Sequence, residues 1–399
     1  MQAVVGLYTR YALGSLVATV LTGVWLRLAM LRPEALAGFE FRSAVHAHSH
    51  LALFGWVTLA LFAAIAREAG AARGWMRWHA HAAGLASVAA WIGFLRMGYA
   101  PATIALSTVH VALWIVFAVG AWPALARLAP AARRCARAAL ALLVAAGAGA
   151  MAPAIASVTG IGGAWGARLS IELFLSPFLE GWLTIGVAGA LYASLARPRF
   201  AAIAPRLMAL GALPTALFRV AEPAPVAWLP HVGRVGLLCV GVGALLLALD
   251  VLRERRVGPL ARLAGAAFLV KGAIDVGVAA VASPALMANH QLGIAYLHLV
   301  LLGGATAGLL HALAAPARIG LGGAAIAHAV GLALLLAALL ALGAPAVAGA
   351  AASLGLGVGH TLAVALVGGA VSALALIATA AALLRPPAAM PLAGAPARV

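Results

Sequence analysis

The chain has 399 residues, 65% of them apolar and only 9% charged, whereas soluble domains carry roughly 25% charged residues. Such a surface cannot face water, so lipid is the solvent, and backbone groups in lipid must pair within helices or a closed barrel. The net charge of +17 comes from 25 arginines and one lysine against nine acids. These arginines lie mostly in short loops between apolar runs, a pattern that fits a membrane surface and excludes a nucleic-acid interface.

The apolar runs are continuous and rich in Ala, Leu and Gly, without the alternation of barrel strands, so helices are predicted. A crossing needs about 20 apolar residues, and in chain order the segments are 11–31, 46–66, 80–99, 102–125, 138–158, 169–194, 203–220, 227–250, 260–282, 291–314, 321–343 and 360–384. The seventh is the weakest, because Arg206 and Pro214 interrupt it. The expected fold class is an all-α polytopic bundle of about twelve transmembrane helices, a single transmembrane domain over 1–399 with no soluble domain. No short-period repeat stands out. Cys135 and Cys239 cannot build a disulfide framework, and no Cys-x-x-Cys-His haem-attachment motif occurs. Residues 1–10 lack a basic stretch with a cleavage site, so the first span is expected to stay as a signal anchor.

Arginine sets the orientation. Twelve spans put both termini and the even-numbered turns on one side, which holds 18 arginines, Arg73, Arg318 and Arg398 among them, while the other side holds seven. By the positive-inside rule both termini are cytoplasmic, in a bacterial or archaeal cytoplasmic membrane.

Twelve histidines are many for so apolar a chain, and eight fall in the outer half of this frame. His231, His290, His311 and His360 sit near helix ends, where an interfacial role competes with a functional one. His79 and His81 follow Trp75, Arg77 and Trp78 and read as part of an inner interface belt. His46, His48, His50, His110 and His298 differ, because an ionisable group inside a membrane usually faces a cofactor, a cavity or a partner. Neutral imidazole is also a common ligand for transition metals and haem iron. On a helix His46 and His50 share a face and His48 points away, so the three cannot ligate one centre. One of these histidines and His298 lie at similar outer depths and could clamp a haem from both sides.

Two stretches carry a family resemblance. RSAVHAHSHLALFGW (42–56) resembles the second span of heme-copper oxidase and nitric oxide reductase large subunits, and IAYLHLVLLGG (294–304) resembles their tenth. The topology of about twelve spans with both ends inside matches as well. The pattern around His48 is also similar to the NnrS family of haem- and copper-containing membrane proteins. The resemblance implies a low-spin haem b held by His298 and by His48, with His50 the close alternative. Tyr296 stands where that family has the proximal histidine of a second haem. The sixth span, ELFLSPFLEGW (172–182), lacks the copper-ligating histidine and the linked tyrosine, and the seventh lacks the adjacent histidine pair. A standard oxygen-reducing binuclear centre is therefore not expected. Copper or another second metal would have to draw on His46, His50, His110 and Glu172.

Buried charges complete the candidates. Lys271, the one lysine, precedes Asp275 by four residues, which places both on one helix face. Glu172 and Glu180 are eight apart, about 80° around the helix, and either suits a proton relay. Pro177 between them should bend the helix and free carbonyls. The expected function is electron transfer or the handling of nitric oxide or oxygen, with quinol or cytochrome c as electron donor and room for a partner subunit in the lipid. Two rivals stand beside it: a transporter or metal-handling permease using the histidines and the Lys271–Asp275 pair, and a non-catalytic haem sensor or assembly subunit.

Overall fold

Hydrocarbon offers backbone amides no water, so long apolar segments close their hydrogen bonds within themselves. The computed structural model describes residues 2–70, 74–220, 222–281, 289–315 and 321–385, which leaves Arg73, Arg318 and Arg398 outside it. Among the described residues the regular structure is helical throughout, without strands. The helices are α1 (Gln2–Leu31), α2 (Phe41–Glu68), α3 (Trp75–Met97), α4 (Pro101–Ala121), α5 (Pro130–Gly149), α6 (Ala152–Thr159), α7 (Gly163–Tyr192) and α8 (Ala204–Ala212). They continue with α9 (Thr215–Phe218), α10 (Leu229–Arg253), α11 (Pro259–Val281), α12 (His290–Ala314), α13 (Gly322–Gly343), α14 (Pro345–Ser353) and α15 (Val358–Leu384).

Ten of these described helices are long and apolar enough to cross a membrane: α1 to α4, α7, α10 to α13 and α15. The protein is a multi-pass helical membrane protein. The remaining two expected spans look different. The fifth starts earlier than its apolar run, because α5 takes Arg133, Arg134 and Arg137 into its first turns and ends at Gly149. The seventh is broken into α8 and α9 around Pro214, whose ring cannot continue an α-helical ladder.

Three helices depart from α geometry at matching places. π-helical segments occupy Leu51–Thr58 in α2, Pro177–Ile185 in α7 and Leu299–Thr306 in α12. In α7 the departure begins at Pro177, whose missing N–H already opens the i→i−4 ladder. Each segment contains the same short pattern: Gly55-Trp-Val-Thr58, Gly181-Trp-Leu-Thr184 and Gly303-Gly-Ala-Thr306. At the first glycine of each a neighbouring helix comes close. A Cβ there would stand 2.7 Å from Ser15 Oγ of α1, 2.6 Å from Leu142 Cβ of α5 or 2.9 Å from Ala267 Cβ of α11. Each π segment packs on a helix shortly before its own in the chain: that of α2 on α1, that of α7 on α5 and that of α12 on α11. The fold thus repeats one packing unit three times, a long-period repeat too divergent to see in the sequence.

Hydrogen bonds join the three segments at the centre. The Trp56 indole N–H donates to Thr306 Oγ1 at 2.9 Å, and that of Trp182 donates to Thr58 Oγ1 at 3.1 Å. Thr58 and Thr184 in turn donate to the carbonyls five residues back, Leu53 and Leu179, both at 2.8 Å. All five of these side chains, Trp56, Thr58, Trp182, Thr184 and Thr306, are buried. Around them lies an aromatic core in which Phe62 stacks on Phe117 with centroids 3.8 Å apart and meets Trp182 at 5.5 Å.

Thr58→Val leaves the Trp182 indole without an acceptor in a dry core. The expected cost is about 1–2 kcal/mol, read as a lower thermal midpoint of detergent-solubilised protein by near-UV circular dichroism, with Thr58→Ser close to wild type.

Candidate functional site

What each imidazole can do depends on how its two nitrogens are used. His79 is spent on structure: Tyr8 O–H donates to its Nδ1 at 2.8 Å, and its Nε2–H donates to the Leu113 carbonyl at 2.8 Å. It is buried in the core where α1, α3 and α4 meet, which corrects the expectation of an interface residue. The aromatic belt before it hid this, because Tyr8 lies some seventy residues away in sequence. His81 contacts Tyr11 Oη at 3.0 Å. His328, also buried, binds Ser372 Oγ at 2.8 Å through Nδ1 and donates Nε2–H to the Leu302 carbonyl at 3.1 Å. His231, His290 and His360 are exposed at helix ends.

His48 and His298 belong to a different class. His48 Nδ1 lies 3.0 Å from the Thr19 carbonyl of α1, and His298 Nδ1 lies 2.8 Å from the Ile294 carbonyl one turn back in α12. A carbonyl only accepts, so in both rings Nδ1 carries the proton and Nε2 keeps its lone pair. This is the arrangement of metal-ligating histidines, whose second nitrogen donates to a carbonyl or carboxylate and fixes the ring. The two rings are within electrostatic reach of each other, and Arg27 of α1 is within reach of both. Gly23 of α1 faces His48: a Cβ there would come 3.0 Å from His48 Cε1.

His50 goes elsewhere. It too directs Nδ1 at a carbonyl, that of His46 at 2.9 Å. Its ring, however, stacks on Phe94 of α3 at 3.9 Å and 28° and meets Phe54 at 5.1 Å. His46 packs edge-on against Tyr99 at 4.7 Å, and His110 of α4 lies 5.1 Å from Phe54. His110 Nε2 sits 2.7 Å from Ser87 Oγ, while Ser87 donates to the Ala83 carbonyl. Its Nδ1 is buried without a partner, as is His46 Nε2. His46, His50 and His110 thus gather on the α3–α4 side of α2 among aromatic rings. Glu172 lies apart from them, within reach of Arg168 and Arg219. Among the described residues no group of three or more His, Cys, Asp and Glu is placed to hold a metal ion, so the expected second-metal set is not brought together.

The third feature is a buried ion network. Lys271 of α11, 1% exposed, has its Nζ 2.5 Å from Asp275 Oδ2 and 2.8 Å from Glu180 Oε2. Arg219, directly after α9, pairs with the other oxygen of Glu180. Tyr296 O–H donates to Asp275 Oδ1 at 2.8 Å and stands 3.5 Å from Glu180 Oε1, with Lys271 Nζ 5.5 Å from its ring centre. The Lys271–Asp275 contact follows from i,i+4 spacing; the closure by Glu180, Arg219 and Tyr296 joins α7, α9, α11 and α12 and is invisible to local pattern. Arg219 carried one signal, a charge at the end of the weakest apolar segment.

Tyr296 and His298 lie two residues apart on α12, about 200° around the axis. The helix therefore separates the imidazole pair on one side from the ion network on the other. No protein-family model matches the sequence, and a search of curated proteins finds no match either.

Removing one partner of a buried ion pair strands the other charge, at a cost of about 3–5 kcal/mol. Lys271→Met is expected to lower the thermal midpoint sharply. The double variant with Asp275→Asn should lose less than the two single losses added together, measured by the same unfolding assay.

Proposed function

We propose that the chain is a haem b-binding membrane protein, a divergent relative of the heme-copper oxidase large subunit acting in electron transfer or in nitric oxide or oxygen handling. One observation carries the reading: two imidazoles from α2 and α12 stand within electrostatic reach of each other, each with Nδ1–H given to a carbonyl and Nε2 left with a lone pair. The donor set fits haem iron, for which histidine is a standard axial ligand. His48 and His298 would hold the haem, and the stacking of His50 on Phe94 favours His48 over it. A haem held there supplies a one-electron iron couple.

The chain's own groups do the rest. The Thr19 and Ile294 carbonyls fix both rings in one tautomer and raise the basicity of Nε2. Arg27 brings positive charge within electrostatic reach of both rings, suited to an acidic substituent of the cofactor. With both His48 and His298 as ligands, a haem held there would supply electron transfer rather than binding of a gas molecule. We further propose that α5 and the broken α8–α9 complete a twelve-span bundle with cytoplasmic termini, in which the three π-helical units are spaced four crossings apart. Units so spaced run in one direction, whereas the rival permease reading would favour a pair of inverted repeats.

The test is a reduced-minus-oxidised optical spectrum with pyridine haemochrome analysis of the purified protein. A low-spin b-type signal is expected, lost in His48→Ala and in His298→Ala and kept in His50→Ala. Gly23→Leu should lower haem content by pushing against the His48 ring. Protein expressed with ample haem supply yet free of haem would sink the proposal. Carbon monoxide or nitric oxide binding to a second, high-spin iron would point to an enzyme, and its absence to electron transfer or a sensor subunit.

A further inference from the structure

At the end of the bundle where α1 gives way to α2, and α3 to α4, lies a cavity of about 380 Å³. Phe39, Glu40 and Ser43 line it from one side, Leu95, Arg96 and Met97 from the other. Contacts within the protein fix its walls. The Trp25 indole N–H of α1 donates to the Ala35 carbonyl at 2.8 Å, and the Trp25 and Phe39 rings meet edge to face at 5.9 Å. Between these two anchors the chain turns through Ala37 and Gly38 at φ of 50° and 86°, the region that favours glycine. The Arg96 guanidinium lies over the Phe39 ring, 5.2 Å from its centre. Ser43, buried, donates its hydroxyl to Glu40 Oε2 at 2.6 Å. Gly98, just past α3, lets that helix end come close: a Cβ there would stand 3.0 Å from Ser43 Oγ.

Two opposite charges thus line one cavity without meeting. Among the described residues neither Arg96 nor Glu40 belongs to an ion pair. Ser43 occupies one oxygen of Glu40; the other oxygen and the N–H donors of Arg96 are left for a ligand. Arg42, two residues beyond Glu40, does not line the cavity and, like Glu40, lies within electrostatic reach of His46. Along α3 from Arg96 the same helix face carries Ile92, Val88 and Leu85, all exposed. On a membrane-crossing helix such a stripe faces lipid chains, and Leu95 and Met97 carry apolar surface into the cavity itself.

We infer that this cavity binds the head group of an aminophospholipid, whose phosphodiester meets Arg96 and whose primary ammonium meets Glu40, with an acyl chain along Ile92, Val88 and Leu85. The guanidinium fork matches phosphate oxygens. The open oxygen of Glu40 accepts from an ammonium N–H. A head group with a phosphate and no cation would set its charge against Glu40, and a trimethylammonium has no N–H to donate. The place at the end of crossing helices, above an apolar stripe, selects a lipid over a water-soluble zwitterion. The site stands whether or not the chain carries haem, since it shares no group with the imidazole pair or the ion network.

Native mass spectrometry of the delipidated full chain in detergent tests it, with phosphatidylethanolamine, phosphatidylcholine and phosphatidylglycerol of matched acyl chains added at equal concentration. Wild type should retain phosphatidylethanolamine best. Arg96→Gln should weaken that retention about threefold, the scale of a partly exposed ion pair. Glu40→Gln should bring phosphatidylethanolamine level with phosphatidylglycerol. Arg32→Gln, at an exposed arginine outside the cavity, should change nothing. Arg96 and Glu40 are themselves exposed, so both variants should fold, and wild type alone already reads the lipid preference. Equal retention of the three lipids by wild type overturns the inference, as does a preference that survives Glu40→Gln. Glycerophosphoethanolamine, the water-soluble head group, binding as tightly as the intact lipid would overturn the choice of a lipid.

Discussion

Two indole hydrogen bonds, from Trp56 to Thr306 and from Trp182 to Thr58, hold the centre of this protein together. In hydrocarbon there is little hydrophobic force between helices, so close packing and buried polar contacts decide which helices touch. The glycines at the head of each π segment allow that packing, and the tryptophans and threonines three residues or fewer beyond them add the polar contacts. With α2, α7 and α12 fixed in this way, their turns carry the imidazole pair, Glu172 and two members of the ion network, Glu180 and Tyr296, into defined places.

Much of the architecture was legible in the sequence, for a simple reason. Lipid demands long apolar segments, so hydropathy alone locates the ten long helices. It failed where charge and proline compete with apolarity: α5 begins with three arginines, and α8–α9 breaks around Pro214. The long-period repeat was missed because it rests on four-residue patterns in which only glycine and threonine recur.

Of the site, the local relations were readable and the tertiary ones were not. Spacing separates His48 from His50 onto different faces and puts Lys271 beside Asp275. It cannot say that Phe94 stacks on His50, that Tyr8 binds both His79 and the core, or that Arg219 reaches Glu180. Ring nitrogens were the most informative structural detail. His79 and His328 use both nitrogens within the protein, whereas His48, His50 and His298 commit only Nδ1 in the contacts described above.

The π segments also set a phase. One residue added to a helix turns everything beyond it by about 100°, so the halves of α2 on either side of residues 51–58 need not face the same neighbours. The turn before the segment presents His48 toward α1 and within electrostatic reach of His298 on α12, while Thr58, the segment's last residue, accepts from Trp182 of α7. The same holds in α12, where His298 precedes the segment and Thr306 closes it. The number of residues in these helices is therefore itself part of the site: deleting one π-segment residue that takes no part in these contacts would keep every imidazole, indole and hydroxyl named above yet turn the imidazoles and the stitching residues out of step.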